Sequence, residues 1–319
     1  MRIASLLPAT TEWVCAFGAV EDLVARSHEC HGPPGIEEVP VVTEAAFDPS
    51  GGGSRAIDEA VRDQLEAGLS LYDVKVERLR ALRPDLILTQ TQCEVCAVSR
   101  AQLNEALAGW GTDGEKPRLF SLAPATLKDV FEAGLAVGRA IGRAEAAMSF
   151  LSKKEKRLRA LRRRLGAGED GAPEARPTVA CVEWLDPLMT AGHWTPGLAR
   201  QAGGRAVLAG EGERSQTVAW EALREADPDT LAVMPCGFSM EETRRDLDAL
   251  TGRPGFEELR AAREGRVVLF DGNAHFNRPG PRLYRSAELL AAALHPERAG
   301  DFFVEPTPRE MQYLEEVTV

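Results

Sequence analysis

The sequence has no apolar run of the 18 or so residues that a helix needs to cross a lipid bilayer. It also lacks an excess of positive charge, because 38 Lys and Arg residues stand against 49 Asp and Glu residues, giving a net charge of -11. Nucleic-acid binding depends on clustered positive charge. We therefore expect a protein that does not insert into membranes and whose main partner is not DNA or RNA.

Common catalytic motifs are missing as well. The chain has no GxSxG, no HExxH and no Walker lysine, and Gly51, Gly52 and Gly53 are not followed by Lys-Ser or Lys-Thr. The one GxGxxG match, GAGEDG at 166–171, follows a helical pattern rather than a strand. The usual residues of hydrolases, zinc proteases, NTPases and dinucleotide enzymes are therefore missing, and we expect a protein that is not an enzyme. The alternative is a metal-dependent activity, in which a metal with an open coordination site activates water.

The N-terminal segment, MRIASLLPATTEW, lacks the charged region, long apolar region and cleavage site of a secretory signal. As given, the sequence predicts a cytoplasmic location, whereas removal of an upstream leader would make the location periplasmic or extracellular. In a reducing cytosol, the six cysteines are more plausible as free thiols, metal ligands or redox groups than as disulfides.

Short apolar runs alternate with helical patterns along the chain, which is typical of an α/β protein. In the first half, the strand candidates are RIASLL (2–7), DLVARS (22–27), PDLILTQ (84–90) and PRLFSLA (117–123). In the second half, they are TVACVEW (178–184), RAVLAG (205–210), DTLAVMPCG (229–237) and RVVLFDG (266–272). Because helical crossovers join the strands, we predict mainly parallel sheets.

A long helical stretch separates the two halves. The helical signal runs from 126 to 166 and is interrupted only near Gly142, and the following GAGEDGAPEARP has the composition of a linker. The simplest architecture is two β/α lobes joined by a long connecting helix. We predict an N-terminal lobe at 1–125, a connecting helix and linker at 126–176, and a C-terminal lobe with a tail at 177–319.

A basic run, KKEKRLRALRRR, extends from Lys153 to Arg164. Leu158, Leu161 and Leu165 recur within and after it at helical spacing, so we interpret the run as the solvated face of an amphipathic helix. A nucleic-acid or lipid site is the alternative interpretation.

The residues directly after the strand candidates carry most of the reactive side chains. Four of the five histidines and four of the six cysteines lie in these segments, which are PATTEW, HECHGPPG, TQCEVC, EWLDPLMTAGHWTPG, MPCGFS and DGNAHFNRPGP. Ligands of doubly wound α/β folds bind beyond the carboxyl ends of the strands. The clustering therefore predicts a ligand site at these ends.

Several of these segments occur in an order that can be compared with a known family: SLLPATTE, LRPDLILTQ, GHWTPGLARQAGG and VVLFDGNAHFNRPGPRL. The order resembles the solute-binding proteins of iron-siderophore and cobalamin ABC importers, and more closely their leaderless branch, usually labelled cobalamin-binding protein. The resemblance covers roughly residues 1 to 295. It implies two Rossmann-like lobes, a rigid connecting helix, small hinge motion, and a corrinoid or other metal chelate in the cleft between the lobes, with ABC importer components as partners.

A corrinoid is broad, flat and largely apolar with amide edges, so its site needs aromatic faces and scattered hydrogen-bond donors. Aromatic faces are available from Trp184, Trp194, Phe238 and Phe276, although each ring could instead close the core at a strand end. His193 and His275 could donate to ligand amides or ligate cobalt. The segments after the first three strands complete the predicted ligand site with Pro8, Ala9, Thr10, His28, Glu29, Cys93 and Cys96.

The CxxC formed by Cys93 and Cys96 has three interpretations. Together with His28 and Cys30 it could form a four-ligand site for zinc or iron. It could also be a redox dithiol, because a CxxC at a helix N-terminus has a lowered thiol pKa. Finally, both residues could simply pack a tight turn from strand to helix.

Two functional hypotheses follow. The first is a binding protein that holds cobalamin, a related corrinoid or another metal chelate without turnover. The second is a cytoplasmic metal-binding or redox protein that uses His28, Cys30, Cys93 and Cys96.

Overall fold

The structure is a computed structural model. It describes residues 1–46, 52–67, 71–90, 116–165, 176–299 and 305–314, together with Leu103, Leu107 and Trp110. The chain forms two compact units. The N-terminal unit comprises 1–51, 57–124 and 129–152, and the C-terminal unit comprises 52–56, 125–128 and 153–319. This arrangement confirms the predicted α/β fold with two lobes.

The N-terminal unit contains a four-stranded parallel sheet. The strands of this unit are β1 (Ile3–Ser5), β2 (Leu23–Arg26), β3 (Thr43–Ala45), β4 (Tyr72–Val74), β5 (Leu86–Gln90) and β6 (Arg118–Leu122). The sheet order is β2-β1-β5-β6, and every neighbouring pair is parallel. Strands β3 and β4 form a separate antiparallel pair. All four predicted strands of the first half are therefore present.

The helices in the first half of the chain are α1 (Pro8–Ala16), α2 (Ser54–Glu66), α3 (Val76–Ala81), α4 (Leu127–Ala140) and α5 (Ala144–Arg164), with a 3-10 helix at Val20–Asp22. Pro8 opens α1, where its fixed φ suits the first helical turn and its missing N–H is not needed. The helical stretch predicted at 126–166 consists of α4 and α5, because Gly142 adopts a left-handed φ of 71° between them.

The C-terminal unit is built on a seven-stranded sheet. Its strands are β7 (Thr178–Trp184), β8 (Met189–Thr190), β9 (Arg205–Ala206), β10 (Gln216–Thr217), β11 (Thr230–Val233), β12 (Val267–Phe270) and β13 (Met311–Tyr313). The order is β10-β8-β7-β11-β12-β13, with β9 also paired to β7. The pairs that join β7, β9, β11 and β12 are parallel, whereas the outer strands β8, β10 and β13 are antiparallel.

The helices of the C-terminal half are α6 (Thr195–Gln201), α7 (Trp220–Ala226), α8 (Met240–Arg245), α9 (Asp248–Thr251), α10 (Arg260–Arg263), α11 (Leu283–Leu294) and α12 (Pro296–Ala299), with a 3-10 helix at Phe256–Glu258. A capping box starts α8: Ser239 Oγ accepts from the Glu242 backbone N–H, and the Glu242 carboxylate accepts from the Ser239 N–H. This cap fixes the turn that carries Phe238.

Each unit has its own apolar core. In the C-terminal unit, β11 and β12 are buried along their whole length, and Val182, Leu231 and Leu269 pack in one cluster. Such continuous apolar runs are expected where both faces of a parallel sheet are covered. In the N-terminal unit, Ala4 and Ile87 pack with residues from the neighbouring elements. Among the described residues, no helix combines the length and the apolar character needed to cross a bilayer.

Gly272, at the end of β12, sits directly against the loop that follows β11. A Cβ at this position would lie 2.1 Å from the Pro235 carbonyl oxygen and 2.8 Å from the Met234 carbonyl carbon. Both neighbours are backbone atoms, so neither can rotate out of the way. Only glycine therefore allows the two strand-end loops to approach this closely.

We expect Gly272→Ala to lower the free energy of unfolding by at least about 2 kcal/mol, because the new methyl group must displace backbone. Gly237→Ala is the matched control, since Gly237 has a φ of 79° but no atom within 4 Å of a Cβ. Alanine at position 237 would be strained only by its backbone conformation. We therefore expect Gly237→Ala to lower the free energy of unfolding by only about 1 kcal/mol. Urea unfolding of both variants checks the difference, and equal costs would contradict the steric account.

Candidate ligand site

His28 follows β2 and is held by a single threonine. The backbone N–H of His28 donates to Thr43 Oγ1 at 3.0 Å, and its imidazole Nδ1 lies 2.7 Å from the same oxygen. The Thr43 hydroxyl donates its only proton to Ser27 Oγ at 3.0 Å. The network therefore assigns the proton of the neutral ring to Nδ1, which donates to Thr43, and leaves the lone pair on Nε2.

The environment of the His28 Nε2 atom favours the uncharged ring. This atom is buried and has no hydrogen-bond partner among the described residues, and Glu29 Oε1 lies 3.5 Å from it. Burial lowers the pKa of His28, and the opposing attraction of Glu29 is the smaller effect. The ring also lies against Tyr72, with centroids 5.4 Å apart. A neutral imidazole whose other nitrogen is hydrogen-bonded has the form of a metal ligand.

Cys30 occupies a different environment from His28. Its side chain is buried, with 1% exposed, and its Sγ lies 3.1 Å from Thr11 Oγ1. Among the described residues, no group of three or more His, Cys, Asp or Glu side chains could hold a metal ion. Cys93 and Cys96 lie outside the described residues. The four-ligand cluster with His28 therefore stays a prediction.

The segment after β1 packs into the N-terminal unit. Ala9 is 1% exposed and Thr10 is fully buried, and the Thr10 hydroxyl lies 2.7 Å from Ser5 Oγ and donates to the Leu7 carbonyl. Pro8 is half-buried at the start of α1. These contacts tie α1 to β1, and a ligand contact from the three residues stays a prediction.

Trp184 and Phe238 meet at the carboxyl ends of β7 and β11. Their rings pack edge to face with centroids 5.3 Å apart. The Phe238 carbonyl accepts from the Asn273 N–H, which joins the loop after β12 to the same place. The Trp184 Nε1 atom is buried and has no acceptor among the described residues. A buried donor without an acceptor costs about 1–3 kcal/mol, so a ligand oxygen at this position would be favoured.

Trp194 and Phe276 join two further loops inside the C-terminal unit. The Trp194 indole N–H donates to the Phe276 carbonyl at 2.6 Å. Trp194 is 8% exposed, and Phe276 is fully buried against Phe270 with ring centroids 4.9 Å apart. The structure thus gives both aromatic residues a packing role, and a ligand role for them stays a prediction.

Two non-glycine residues of these loops adopt left-handed backbone. His193 has a φ of 49° and Phe276 a φ of 59°. The His193 backbone is held on both sides, because its N–H donates to Glu213 O and its carbonyl accepts from Gly212 N–H. Its ring stacks on Trp194 at 5.7 Å, and burial lowers its pKa. Strained backbone of this kind tends to cluster at functional sites.

His275 lies among charged residues but is itself neutral. It is 8% exposed, and its Nε2 is 3.8 Å from Glu310 Oε1. Burial nevertheless lowers the pKa of His275 to about 4, because desolvation outweighs the attraction of Glu310, and Arg282 and Arg285 oppose protonation as well. The hydrogen bond from Arg285 lowers the pKa of Glu310 to about 2.

Thr43 and Asn277 are the important residues that the sequence alone did not single out. Thr43 orients His28 from 15 residues away. The Asn277 side-chain amide donates to the carbonyls of Met234 and Gly272, at 3.0 Å each, and so joins the loops after β11 and β12. Asn277 lies in the segment DGNAHFNRPGP but was not singled out within it, and Thr43 belongs to no segment named from the sequence, so only the tertiary fold reveals these roles.

Two α/β units with parallel strands whose ends carry the candidate side chains are typical of a class of ligand-binding protein. The model of the family described as periplasmic binding protein matches residues 3–274. The chain belongs to this family. No curated protein matches it in sequence.

Solved structures agree with this assignment of the fold. A periplasmic heme-binding protein from Pseudomonas aeruginosa has a TM-score of 0.67 and 23% identity, covering 97% of this chain and 96% of that one. The periplasmic vitamin B12 binding protein BtuF of Vibrio cholerae has a TM-score of 0.64 and 19% identity, covering 94% and 98%. An ABC transporter substrate-binding protein from Listeria monocytogenes EGD-e has a TM-score of 0.67 and 15% identity, covering 92% and 98%.

The buried neutral state of His275 predicts acid sensitivity. Its folded pKa of about 4 lies below the unfolded value near 6.5, so the unfolded chain binds the proton first as the pH falls. The stability contribution is full above pH 6.5, decreases between pH 6.5 and 4, and does not change further below pH 4. The total loss should be about 3 kcal/mol.

Urea unfolding at several pH values checks this expectation. The His275→Gln variant should lack this part of the pH dependence, because the amide does not titrate. Identical pH profiles for the wild type and the variant would show that His275 does not carry the effect.

Proposed function

We propose that this protein binds, without turnover, a flat metal chelate of the corrinoid or heme type, and that His28 supplies an axial nitrogen to its metal. Family membership supports a binding function, and two of the related structures are described as heme-binding and vitamin B12 binding proteins. A corrinoid is our first choice of ligand, because the sequence resembles the cobalamin-binding branch of the family.

The state of His28 is the observation that carries this proposal. Metals bind imidazole through a lone pair, which here is on Nε2 because Nδ1 donates to Thr43. The hydroxyl of Thr43 fixes the tautomer and the ring orientation, as outer-shell partners of metal ligands do. Glu29 Oε1 lies 3.5 Å from Nε2 and the Glu29 side chain is 40% exposed, so we expect Glu29 to rotate away from the nitrogen when the ligand binds.

The C-terminal unit offers a second kind of contact. Trp184 and Phe238 present aromatic surface at the ends of neighbouring strands, and the Trp184 N–H needs an acceptor. Flat macrocycles pack on aromatic faces, and their carboxylate or amide oxygens accept hydrogen bonds. This combination fits a corrinoid or heme better than a small polar solute.

Importer components are the proposed protein partners. One related structure is described as an ABC transporter substrate-binding protein and two as periplasmic proteins. These relatives favour a location outside the cytoplasmic membrane and lend no support to the cytoplasmic prediction. The alternative function, as a metal-binding or redox protein, depends on Cys93 and Cys96 and stays a prediction.

Axial ligation by His28 is tested by visible-absorbance titration of the reduced protein with aquocobalamin and with hemin. The wild type should bind one of them with the spectral shift of a nitrogen ligand. His28→Ala should lose this shift, and Thr43→Val should weaken binding by about 10- to 100-fold, because the imidazole loses its support. The spectral shift should persist from pH 8 to 6.5 and disappear only at lower pH, since the pKa of His28 is lowered.

His31→Ala is the matched control, because His31 is exposed and three residues from His28. It should leave both the spectrum and the affinity unchanged. An unchanged shift in His28→Ala would remove His28 as the ligand, whereas failure of every chelate to bind the wild type would overturn the proposed function.

The hydrogen bond from Trp184 is tested separately by Trp184→Phe, which retains an aromatic ring but removes the N–H. We expect chelate affinity to fall by about 3- to 10-fold, the net value of one neutral hydrogen bond. Trp220→Phe is the control, because the Trp220 N–H already donates to Pro254 O at 2.8 Å. That variant should lose stability and keep its affinity, and equal affinity in both variants would contradict a ligand contact at Trp184.

A further inference from the structure

Helix α5 contains a local concentration of positive charge. Residues 153–164 hold eight of the 38 Lys and Arg residues together with one acid, Glu155, and so carry a net charge of +7. The whole chain carries -11, so the remaining residues together carry -18. The basic segment therefore has the opposite sign from the rest of the protein.

Some of these residues hold the helix in place. Leu158 and Leu161 are buried on the inner face of α5. Lys154 places its ammonium 5.8 Å from the centre of the Tyr284 ring, and Arg157 forms an ion pair with Glu288 on α11. These contacts within the protein explain why Lys154 and Arg157 are basic.

Four other cations form an outer basic row: Lys153, Lys156, Arg159 and Arg163, all of them exposed. Their spacing of three or four residues places them on one side of the helix, away from the buried leucines. The row is about 15 Å long, from the helical rise of 1.5 Å per residue. Arg159 pairs with Glu155 at 3.5 Å, and no described carboxylate pairs with the other three.

The stability of the helix does not explain the outer basic row. The helix dipole favours cations in the last turn, which accounts for Arg163, and the pair with Glu155 accounts for Arg159, but neither effect accounts for Lys153 or Lys156. Like charges three or four residues apart repel one another and weaken a helix. Lys153 and Lys156 thus add repulsion without a stabilising contact among the described residues, which points to an interaction with an anion outside the chain.

We propose that the outer basic row docks onto the surface of an anionic phospholipid bilayer. Clusters of four to eight Lys and Arg on an amphipathic helix are typical of such surfaces. The leucines of α5 are already buried in the protein core, so the helix adsorbs through charge and does not insert. Attachment of this kind is reversible and is weakened by salt.

A nucleic acid fits the same row less well. Nucleic-acid-binding domains are basic as a whole, whereas this chain has a pI of about 5.2. From Lys153 to Arg163 the helix has no aromatic ring to stack on bases and no Asn or Gln to read adenine, which leaves mainly its cations for base contacts. A lipid surface is therefore a better partner than a nucleic acid for a local cluster of cations on an acidic protein.

The test is co-sedimentation of the full chain with phosphatidylcholine vesicles, with and without phosphatidylglycerol. The wild type should bind only the phosphatidylglycerol vesicles and should be released by high salt. The triple variant Lys153→Gln, Lys156→Gln and Arg163→Gln should bind about a hundredfold more weakly at low salt. If this variant does not fold, Lys156→Gln alone should bind about fivefold more weakly.

The control is Arg205→Gln, Arg245→Gln and Arg263→Gln, which removes three exposed cations from other elements of the C-terminal unit and changes the net charge equally. It should bind anionic vesicles like the wild type. Equal loss in both triple variants, no binding by the wild type, or tighter row-dependent binding to DNA or RNA than to vesicles would each overturn the proposal. Chelate binding should be unchanged in both variants, so this result is independent of the proposed function.

Discussion

The parallel pairing of β7, β11 and β12 is the constraint on which the C-terminal unit depends. The strands are paired in register, with Val182 opposite Val233 and Val233 opposite Leu269, so their carboxyl ends lie at one edge of the sheet. The loops that follow must then share a small space. This crowding explains the need for Gly272, the edge-to-face contact of Trp184 with Phe238, and the hydrogen bonds of Asn277.

The central strands could be predicted from sequence because each is a continuous apolar run between turn residues. The predicted PDLILTQ and RVVLFDG contain β5 and β12, and TVACVEW coincides with β7. Of the predicted strand RAVLAG, only Arg205–Ala206 forms β9, because Leu208 adopts a left-handed φ of 66° that interrupts an extended strand. The antiparallel strands β8, β10 and β13 have only two or three residues each, too few for a periodic pattern.

The side chains at the strand ends were harder to predict, because their roles depend on residues distant in sequence. The position of His28 after a strand was evident, but its tautomer depends on Thr43 and Ser27. Trp184 and Trp194 look equivalent in sequence, yet among the described residues the indole N–H of Trp194 has an acceptor, the Phe276 carbonyl, and that of Trp184 has none. The sequence pattern thus indicates where the candidate site lies. Hydrogen-bond geometry is needed to separate a donor without a described acceptor, such as the Trp184 N–H, from a satisfied one.

Strand β13 completes the outer side of the C-terminal sheet by pairing with β12, and Glu310 beside it is held by Arg285. Forty residues separate the end of β12 at Phe270 from the start of β13 at Met311. During synthesis from the N-terminus, β12 therefore emerges from the ribosome well before its partner. The backbone groups of this edge of β12 stay open until residues 311–313 have also been made, and during that interval the nascent chain is exposed to pairing with other strands.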